Sequence, residues 1–95
     1  MFALAGEAEI RILGAMSLKD KRSVMRGLMD RLRLRYAMCV IESGDQDLWQ
    51  RGRIGFSYCV LSERDLSAKL DRIVREMEQE PAIEILEVAS ETVQV

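Results

Sequence analysis

The chain has 95 residues, enough for one hydrophobic core and too few for two, so we predict a single domain over residues 1–95. Hydrophobic residues make up 48% of the chain and charged residues 32%, proportions that exclude an intrinsically disordered protein. The net charge of −2 excludes a strong overall attraction to nucleic acid. The chain also contains no run of about 20 apolar residues, the length that crosses a membrane.

The charges are unevenly distributed along the chain. Residues 1–55 contain ten Lys and Arg against seven Asp and Glu, whereas residues 56–95 contain four against nine. We therefore expect an anionic partner to bind the first of these two parts. The first seven residues, Met-Phe-Ala-Leu-Ala-Gly-Glu, include no basic segment of the kind that opens a signal peptide, so we expect a cytoplasmic protein.

The first predicted element is a strand that ends at Gly14. Apolar and polar residues alternate through it with the period of two that is typical of a strand with one buried face. The apolar positions are Phe2, Leu4, Ala8, Ile10 and Ile12. Ser17 then provides an N-cap, with Asp20 three residues later as in a capping box. An apolar stripe at helical spacing follows and predicts a helix over residues 17–35.

The middle of the chain predicts two strands joined by a tight turn. The first covers residues 37–43, which are apolar on both faces, and residues 44–47 (Gly-Asp-Gln-Asp) are turn formers. The second strand extends to Leu61 with one apolar face, which contains Ile54, Phe56, Tyr58 and Val60. Cys39 and Cys59 lie in these strands. Two cysteines are too few for a disulfide framework, and we expect both to be free and buried.

Ser62 and Asp65 repeat the cap and start a second helix, which continues to about Gln79 before Pro81. A fourth strand follows from residue 83, and we expect its charged end to be frayed. Two amphipathic helices need a sheet face to cover. The element order β-α-β-β-α-β therefore predicts an α+β fold of the ferredoxin-like type, with a four-stranded antiparallel sheet and both helices on one face.

The sequence argues against catalysis. It contains no histidine, which removes the commonest general base and the commonest metal ligand. No P-loop, Gly-x-Gly-x-x-Gly motif or Gly-x-Ser-x-Gly elbow occurs. Acylphosphatases share this order of elements, but their phosphate loop uses an arginine with a partner asparagine. Here residues 13–16 are Leu-Gly-Ala-Met and the chain has no asparagine. We therefore expect a protein that is not an enzyme and uses no cofactor.

Three acidic residues, Glu42, Asp45 and Asp47, cluster around the turn between the second and third strands. Carboxylates of this kind can ligate a hard cation such as Mg²⁺. Aspartate is also a common turn residue because its side chain bonds to the nearby backbone. Two turn acids without further oxygen ligands favour the turn interpretation, so we predict no metal site.

The first helix carries the strongest candidate for a binding surface. Residues 17–35 include seven basic residues and two acidic ones. At 100° per residue, four of the basic side chains lie within about 60° of one another. They are Lys19, Arg22, Arg26 and Arg33. Two interpretations stay open: a solvated face whose long side chains cover apolar surface, or a surface that binds an anionic partner.

Lys21 lies on a different side of the same helix, within its apolar stripe and one turn from the helix start. One interpretation is that its ammonium group extends past the edge of the sheet to reach solvent. The other is that Lys21 forms an anion site together with the free amide groups that follow Ser17.

The segment after the turn contains Trp49, Arg51 and Arg53. If the third strand begins near residue 48, these three side chains share one face, and an aromatic beside two arginines is typical of a binding hot spot. Alternatively, Trp49 folds over the hairpin and shields the core. The segment is faintly similar to the RNA-recognition motif, but its stacking positions hold Arg53 and Gly55, so we expect no stacking of that kind.

We expect the outer face of the sheet to carry small residues, among them Ala3, Ala5, Gly55 and Ser57. Small side chains allow a second sheet to approach closely. This face therefore favours a homodimer, although the register of the second strand decides which of its residues take part.

Two segments of the chain resemble a known family. Residues 17–24 (Ser-Leu-Lys-Asp-Lys-Arg-Ser-Val) and 44–51 (Gly-Asp-Gln-Asp-Leu-Trp-Gln-Arg) are closely similar to the signature segments of the YlxP-like bacterial family, a domain of unknown function. Asp20 stands where that family often has Glu, and Met16 replaces a common basic residue. The resemblance implies a ferredoxin-like fold and, because the family's genes often neighbour those for translation and ribosome maturation, a role near the ribosome. It implies no catalytic residues.

We therefore expect a non-enzymatic binding module that docks on RNA or a ribosomal particle through the first helix and the Trp49 hairpin. One alternative is a protein-interaction or homo-oligomerising module that uses the outer sheet face. Another is a small-ligand regulatory domain of the ACT type, with its ligand at the Gly14 loop in a dimer interface.

Overall fold

A computed structural model describes residues 1–95 as six elements. They are β1 (Phe2–Ile12), α1 (Leu18–Arg35), β2 (Cys39–Gly44), β3 (Arg51–Val60), α2 (Glu63–Glu78) and β4 (Ile83–Gln94). The four strands form one antiparallel sheet in the order β2-β3-β1-β4. This confirms the predicted ferredoxin-like arrangement of an α+β protein.

The core lies between the two helices and one face of the sheet. Alternate residues of β1 and β3 point into it, and the buried ones are Leu4, Ala8, Ile10, Ile12, Ile54, Phe56 and Tyr58. The helices contribute a stripe of buried apolar residues, which are Met25, Leu28, Leu32, Leu66, Ile73 and Met77. These buried side chains of β1 and β3 all occupy even-numbered positions that pair with one another, so both helices cover the same face of the sheet and the other face stays open.

The two helix starts differ in their hydrogen bonds. At α1, the Ser17 hydroxyl accepts from the Asp20 amide at 3.1 Å, and the Asp20 carboxylate accepts from the Met16 amide at 3.0 Å. This is the predicted capping arrangement, with the aspartate reaching one residue farther back than in the usual capping box. At α2, the Ser62 side chain makes no cap bond, so the prediction that α2 repeats the cap of α1 is wrong in this detail.

Two further expectations about the strands are wrong. The end of β4 is not frayed, because its pairing with β1 continues to Gln94 opposite Phe2 after a bulge at residue 86. Cys39 and Cys59 are free, as expected, but both are exposed and not buried. Cys39 pairs with Ser57, so both cysteines have the parity that faces away from the helices.

Close packing at one end of the sheet places α1 against the β2–β3 hairpin. Gly52 is buried under α1, and a side chain there would meet the Met25 sulfur at 2.9 Å from its Cβ. Any larger residue at this position would require the Met25 side chain to move. The N-terminal half of α1 is therefore held close to the hairpin.

Candidate functional site

Three segments meet where β1 ends, and we call this region the loop end: residues 13–17, residues 45–50 of the hairpin, and the first two turns of α1. The Ile12 amide donates to the Gln50 carbonyl at 2.9 Å, and the Leu13 amide donates to the Ala82 carbonyl at 2.8 Å. These bonds fix the β1–α1 loop beside the hairpin. The sequence singled out residues in all three segments, the Gly14 loop only for the small-ligand alternative, and the fold brings the three segments together.

Lys21 joins α1 to the hairpin. Its side chain is 0% exposed, its ammonium group donates to the Asp45 carbonyl, and it lies 3.4 Å from a Glu42 carboxylate oxygen. Asp45 has a φ of +57°, in the left-handed region that residues other than glycine seldom adopt. The bond to Lys21 thus lies at the strained residue that turns the chain into the hairpin.

Neither interpretation of Lys21 from the sequence describes its place in the structure. The side chain does not reach solvent, and its positive charge is already matched by Glu42 and the Asp45 carbonyl. A cation that is fully buried between two partners is not accessible to an external anion. Sequence spacing could not show this because the partners lie more than twenty residues away.

The other cations of α1 divide into two groups. Three arginines near the C-terminal end have partners within the chain. Arg31 contacts Glu80 at 2.8 Å and Arg35 contacts Glu76 at 3.0 Å. Arg33 donates to the Val40 carbonyl at 2.7 Å and to Asp30 at 3.3 Å. These side chains tie α1 to α2 and to the edge of the sheet.

The remaining cations of α1 are Lys19, Arg22 and Arg26, which we call the cation strip. All three are exposed, and no carboxylate lies within 4.0 Å of their charged groups. The nearby Asp20 carboxylate accepts the Met16 amide. The cation strip therefore carries charge that the fold does not balance locally.

The contact of Arg33 shows which way the cation strip faces. Arg33 shares its side of the helix and reaches the Val40 carbonyl in β2, the strand at the edge of the sheet. The strip thus runs along the β2 edge toward the hairpin. By helix geometry, Lys19 and Arg26 are about 10 Å apart along the axis.

The hairpin exposes two large apolar side chains. Trp49 is 49% exposed and Leu48 is 50% exposed. About half of the indole surface is therefore open to a partner. A face shared by Trp49, Arg51 and Arg53 required a third strand that begins near residue 48. Because β3 begins only at Arg51, Trp49 lies outside the strand and the three side chains do not share a strand face.

Arg51 and Arg53 take part in an ion network on the open face of the sheet. Arg51 lies 2.9 Å from Glu9, and Arg53 lies 3.0 Å from Glu7 and 3.2 Å from Asp45. The Ser43 hydroxyl, which donates to Glu7, and the Arg53 guanidinium together hold the pKa of Glu7 below its ordinary value. Both arginines are therefore engaged within the chain.

The loop end also exposes two apolar residues that the sequence did not single out. Leu13 is 47% exposed, and Met16 is 74% exposed. They flank Gly14 and Ala15 in a loop that joins the sheet to α1. Leu and Met at loop positions outside any amphipathic period are the signal that could have drawn attention to them. With Leu48 and Trp49, they make the loop end apolar as well as basic.

Two of the three acidic residues of the turn have partners in the chain. Glu42 pairs with Lys21, and Asp45 accepts from the Arg53 guanidinium at 3.2 Å. Asp47 is exposed. The chain holds no group of three or more His, Cys, Asp or Glu residues placed to hold a metal ion. No helix is both long enough and apolar enough to span a membrane.

The fold and the loop end together define a ferredoxin-like α+β domain whose exposed features are basic, aromatic and apolar side chains. Residues 4–90 match the family described as "Protein of unknown function (DUF503)", and the chain belongs to that family. It is also 32% identical over 78 residues to "Uncharacterized protein YlxP" of Bacillus subtilis (strain 168), covering 82% of this chain and 85% of that protein. The resemblance drawn from residues 17–24 and 44–51 is thereby confirmed.

Proposed function

We propose that this chain is a non-enzymatic, cytoplasmic module that binds RNA, such as the RNA of a ribosomal particle, through its loop end. The observation that carries the proposal is the cation strip. Four of the seven basic residues of α1 are paired within the chain, and the three that are not all lie on one side of its N-terminal half.

Helix stability does not account for these unpaired cations. A positive charge in the first turn opposes the helix dipole at a cost of about 0.3–1 kcal/mol, and Lys19 occupies that turn. Arg22 and Arg26 gain no compensating ion pair. Phosphate groups spaced along an RNA strand would supply the missing negative charge, and their release of counterions would drive binding.

The exposed indole favours RNA as the partner over a polyanion that has no bases. An aromatic ring beside a basic surface can stack on an unpaired base, which contributes about 1–3 kcal/mol per base. Trp49 lies at the end of the molecule toward which the cation strip runs. Leu48 beside it would exclude water from such a contact.

The test compares two charge reversals of equal size. K19E/R22E/R26E reverses the cation strip, and R64E/R72E/R75E reverses three arginines of α2 that are also exposed and have no carboxylate partner. Both variants change the net charge by the same amount. Fluorescence anisotropy with purified ribosomal RNA, and co-sedimentation with ribosomal particles, measure binding.

We expect the strip variant to lose at least about 100-fold in affinity near physiological salt, because three phosphate contacts are lost. The α2 variant should bind within about threefold of the unaltered chain. Equal losses in the two variants would mean that only net charge matters, and no loss in either would contradict the proposal. Because Trp49 is the only tryptophan, its fluorescence reports directly on the loop end during the titration.

A further inference from the structure

The open face of the sheet, which the helices do not cover, has two halves of different chemistry. The half nearer the loop end carries the ion network of Arg51 and Arg53. In the other half, Glu7 is the only side chain that takes part in an ion pair. The remaining side chains of this half are mainly small or apolar. These are Ala3, Ala5, Cys39, Ile41, Gly55, Ser57, Cys59, Ala89 and Val93, with Glu91 at the edge.

Two large apolar side chains of this half project into solvent. Ile41 on β2 is 62% exposed and Val93 on β4 is 59% exposed. They lie on the two outer strands, while the inner strands β1 and β3 present small residues between them. The face is therefore a shallow trough with an apolar ridge on each side.

A depression of about 320 Å³ lies in this trough beside Ile41. It is kept open by Gly55, where an added Cβ would lie 3.1 Å from the Ile41 and Ser43 side chains. A projecting isoleucine next to a hollow on the same surface is self-complementary. Such complementarity is what a two-fold symmetric interface requires, because the same patch forms both sides of the contact.

The size of the open face also fits a second copy. The four strands contain 39 residues, and at about 3.3 Å per residue and about 4.8 Å between strands they span roughly 600 Å², so two copies would bury on the order of 1,200 Å². Specific interfaces bury about 1,200–2,000 Å². The apolar half would form the dry centre, and the ion network the polar rim.

Pairing through the β2 edge is less favoured than packing of faces. The outward carbonyls of this edge strand already accept from side chains of the same molecule, Val40 from Arg33 at 2.7 Å and Glu42 from Gln46 at 3.2 Å. Side chains that cover these carbonyls obstruct the approach of an added strand.

We propose that two copies of this chain pack with their open faces together, so that Ile41 of each copy fills the depression over Gly55 of the other. This contact is separate from the loop end, so its failure leaves the RNA-binding proposal standing. Weak and transient interfaces lie at the lower end of this size range, so we expect a dissociation constant in the micromolar range.

Sedimentation velocity at increasing protein concentration tests the proposal. We expect a change from 10.9 kDa to twice that mass as the concentration passes through the micromolar range. Ile41→Glu should stay monomeric at every concentration, and Ile41→Ser should weaken the dimer at least tenfold. Leu34→Glu, at an 87% exposed position on α1, is the matched control and should dimerise normally.

The exposed Cys39 provides a second readout, which does not depend on a measurement of mass. Cys39 lies on the proposed contact, so its alkylation by a maleimide should slow as the unaltered protein is concentrated and should not slow in Ile41→Glu. A strict monomer whose Cys39 reactivity does not depend on concentration would overturn the proposal. A dimer that persists in Ile41→Glu would overturn it as well.

Discussion

The two helices occupy equivalent places on the sheet and yet carry different charges. Both begin after a serine, with an aspartate three residues later, and both bury one apolar stripe. In α2, acidic and basic residues are mixed: Arg64 lies between Glu63 and Asp65 in the first turn, and the last turn holds Arg75 with two glutamates. In α1, basic residues outnumber acidic ones by seven to two over residues 17–35.

The fourth residue after each N-cap shows the difference most clearly. In α2 it is Leu66, which is 6% exposed and belongs to the core, whereas in α1 it is the fully buried Lys21. The next turns of α1 carry Arg22 and Arg26, where α2 has Ser67 and Asp71. Residues 63–70, the first half of α2, contain two acidic and two basic residues, whereas residues 18–26 of α1 contain four basic residues and one acidic residue. This local excess of positive charge is why we propose that the N-terminal half of α1 binds an anionic partner.

The largest effect on stability is expected from Lys21→Met. The substitution leaves the Glu42 carboxylate without its cation and the Asp45 carbonyl without its donor, at a cost of about 2–4 kcal/mol in the free energy of unfolding. Urea denaturation measures this cost. The double variant K21M/E42L should recover most of it, because no unpaired charge then remains. A loss below about 0.5 kcal/mol in the single variant would show that Lys21 is not part of the fold's support.

A smaller effect separates the paired arginines of α1 from the cation strip. Arg35→Ala leaves the nearly buried Glu76 carboxylate unpaired and should lower the free energy of unfolding by about 1 kcal/mol, a value reduced by the exposure of Arg35. Arg26→Ala should change it by less than about 0.5 kcal/mol. Equal losses in the two variants would mean that the cation strip also serves stability. The same denaturation experiment distinguishes these outcomes.

The two helix caps should respond unequally to alanine. Ser17→Ala removes the bond to the Asp20 amide and should cost about 1 kcal/mol. Ser62→Ala removes no side-chain bond and should cost only a few tenths of a kcal/mol. Thermal unfolding of both variants tests this contrast. A larger loss for Ser62→Ala would reverse it.

The smallest predicted effect concerns Glu7 on the open face. Because its pKa is lowered in the folded chain, its contribution to stability is present above the ordinary pKa of a glutamate and is lost as the pH falls through the lowered value. Ser43→Ala removes the first cause of the shift, so the pKa of Glu7 should rise toward its ordinary value. An NMR titration of the Glu7 carboxyl measures it, and an unchanged pKa would contradict the assignment.

The fold could be predicted from the sequence because local signals agree with the tertiary structure. The alternation in β1 and the apolar stripes of α1 and α2 each specify one buried face. The two helices can bury their stripes together only against one face of a shared sheet. The charged residues of β4 did not shorten that strand. Each residue of its end keeps a β1 partner, and charged side chains on an open face cost the strand little.

The candidate site was only partly predictable, for reasons that lie in long-range contacts. Lys21 owes its role to Glu42 and Asp45, which are distant in sequence. Arg33 was grouped with Lys19 because helical spacing places them on one side, but spacing does not show that the Val40 carbonyl lies within its reach. Cysteines at outward strand positions are exposed because register, not residue type, decides which face they occupy.

The salt dependence of RNA binding tests the central claim most directly. If Lys19, Arg22 and Arg26 contact phosphates, the logarithm of affinity for purified ribosomal RNA should fall with the logarithm of salt concentration, and alanine at all three positions should reduce that slope by about 2–3. Alanine at Arg64, Arg72 and Arg75 should leave the slope unchanged. Identical slopes for the unaltered chain and the cation-strip variant would contradict the account.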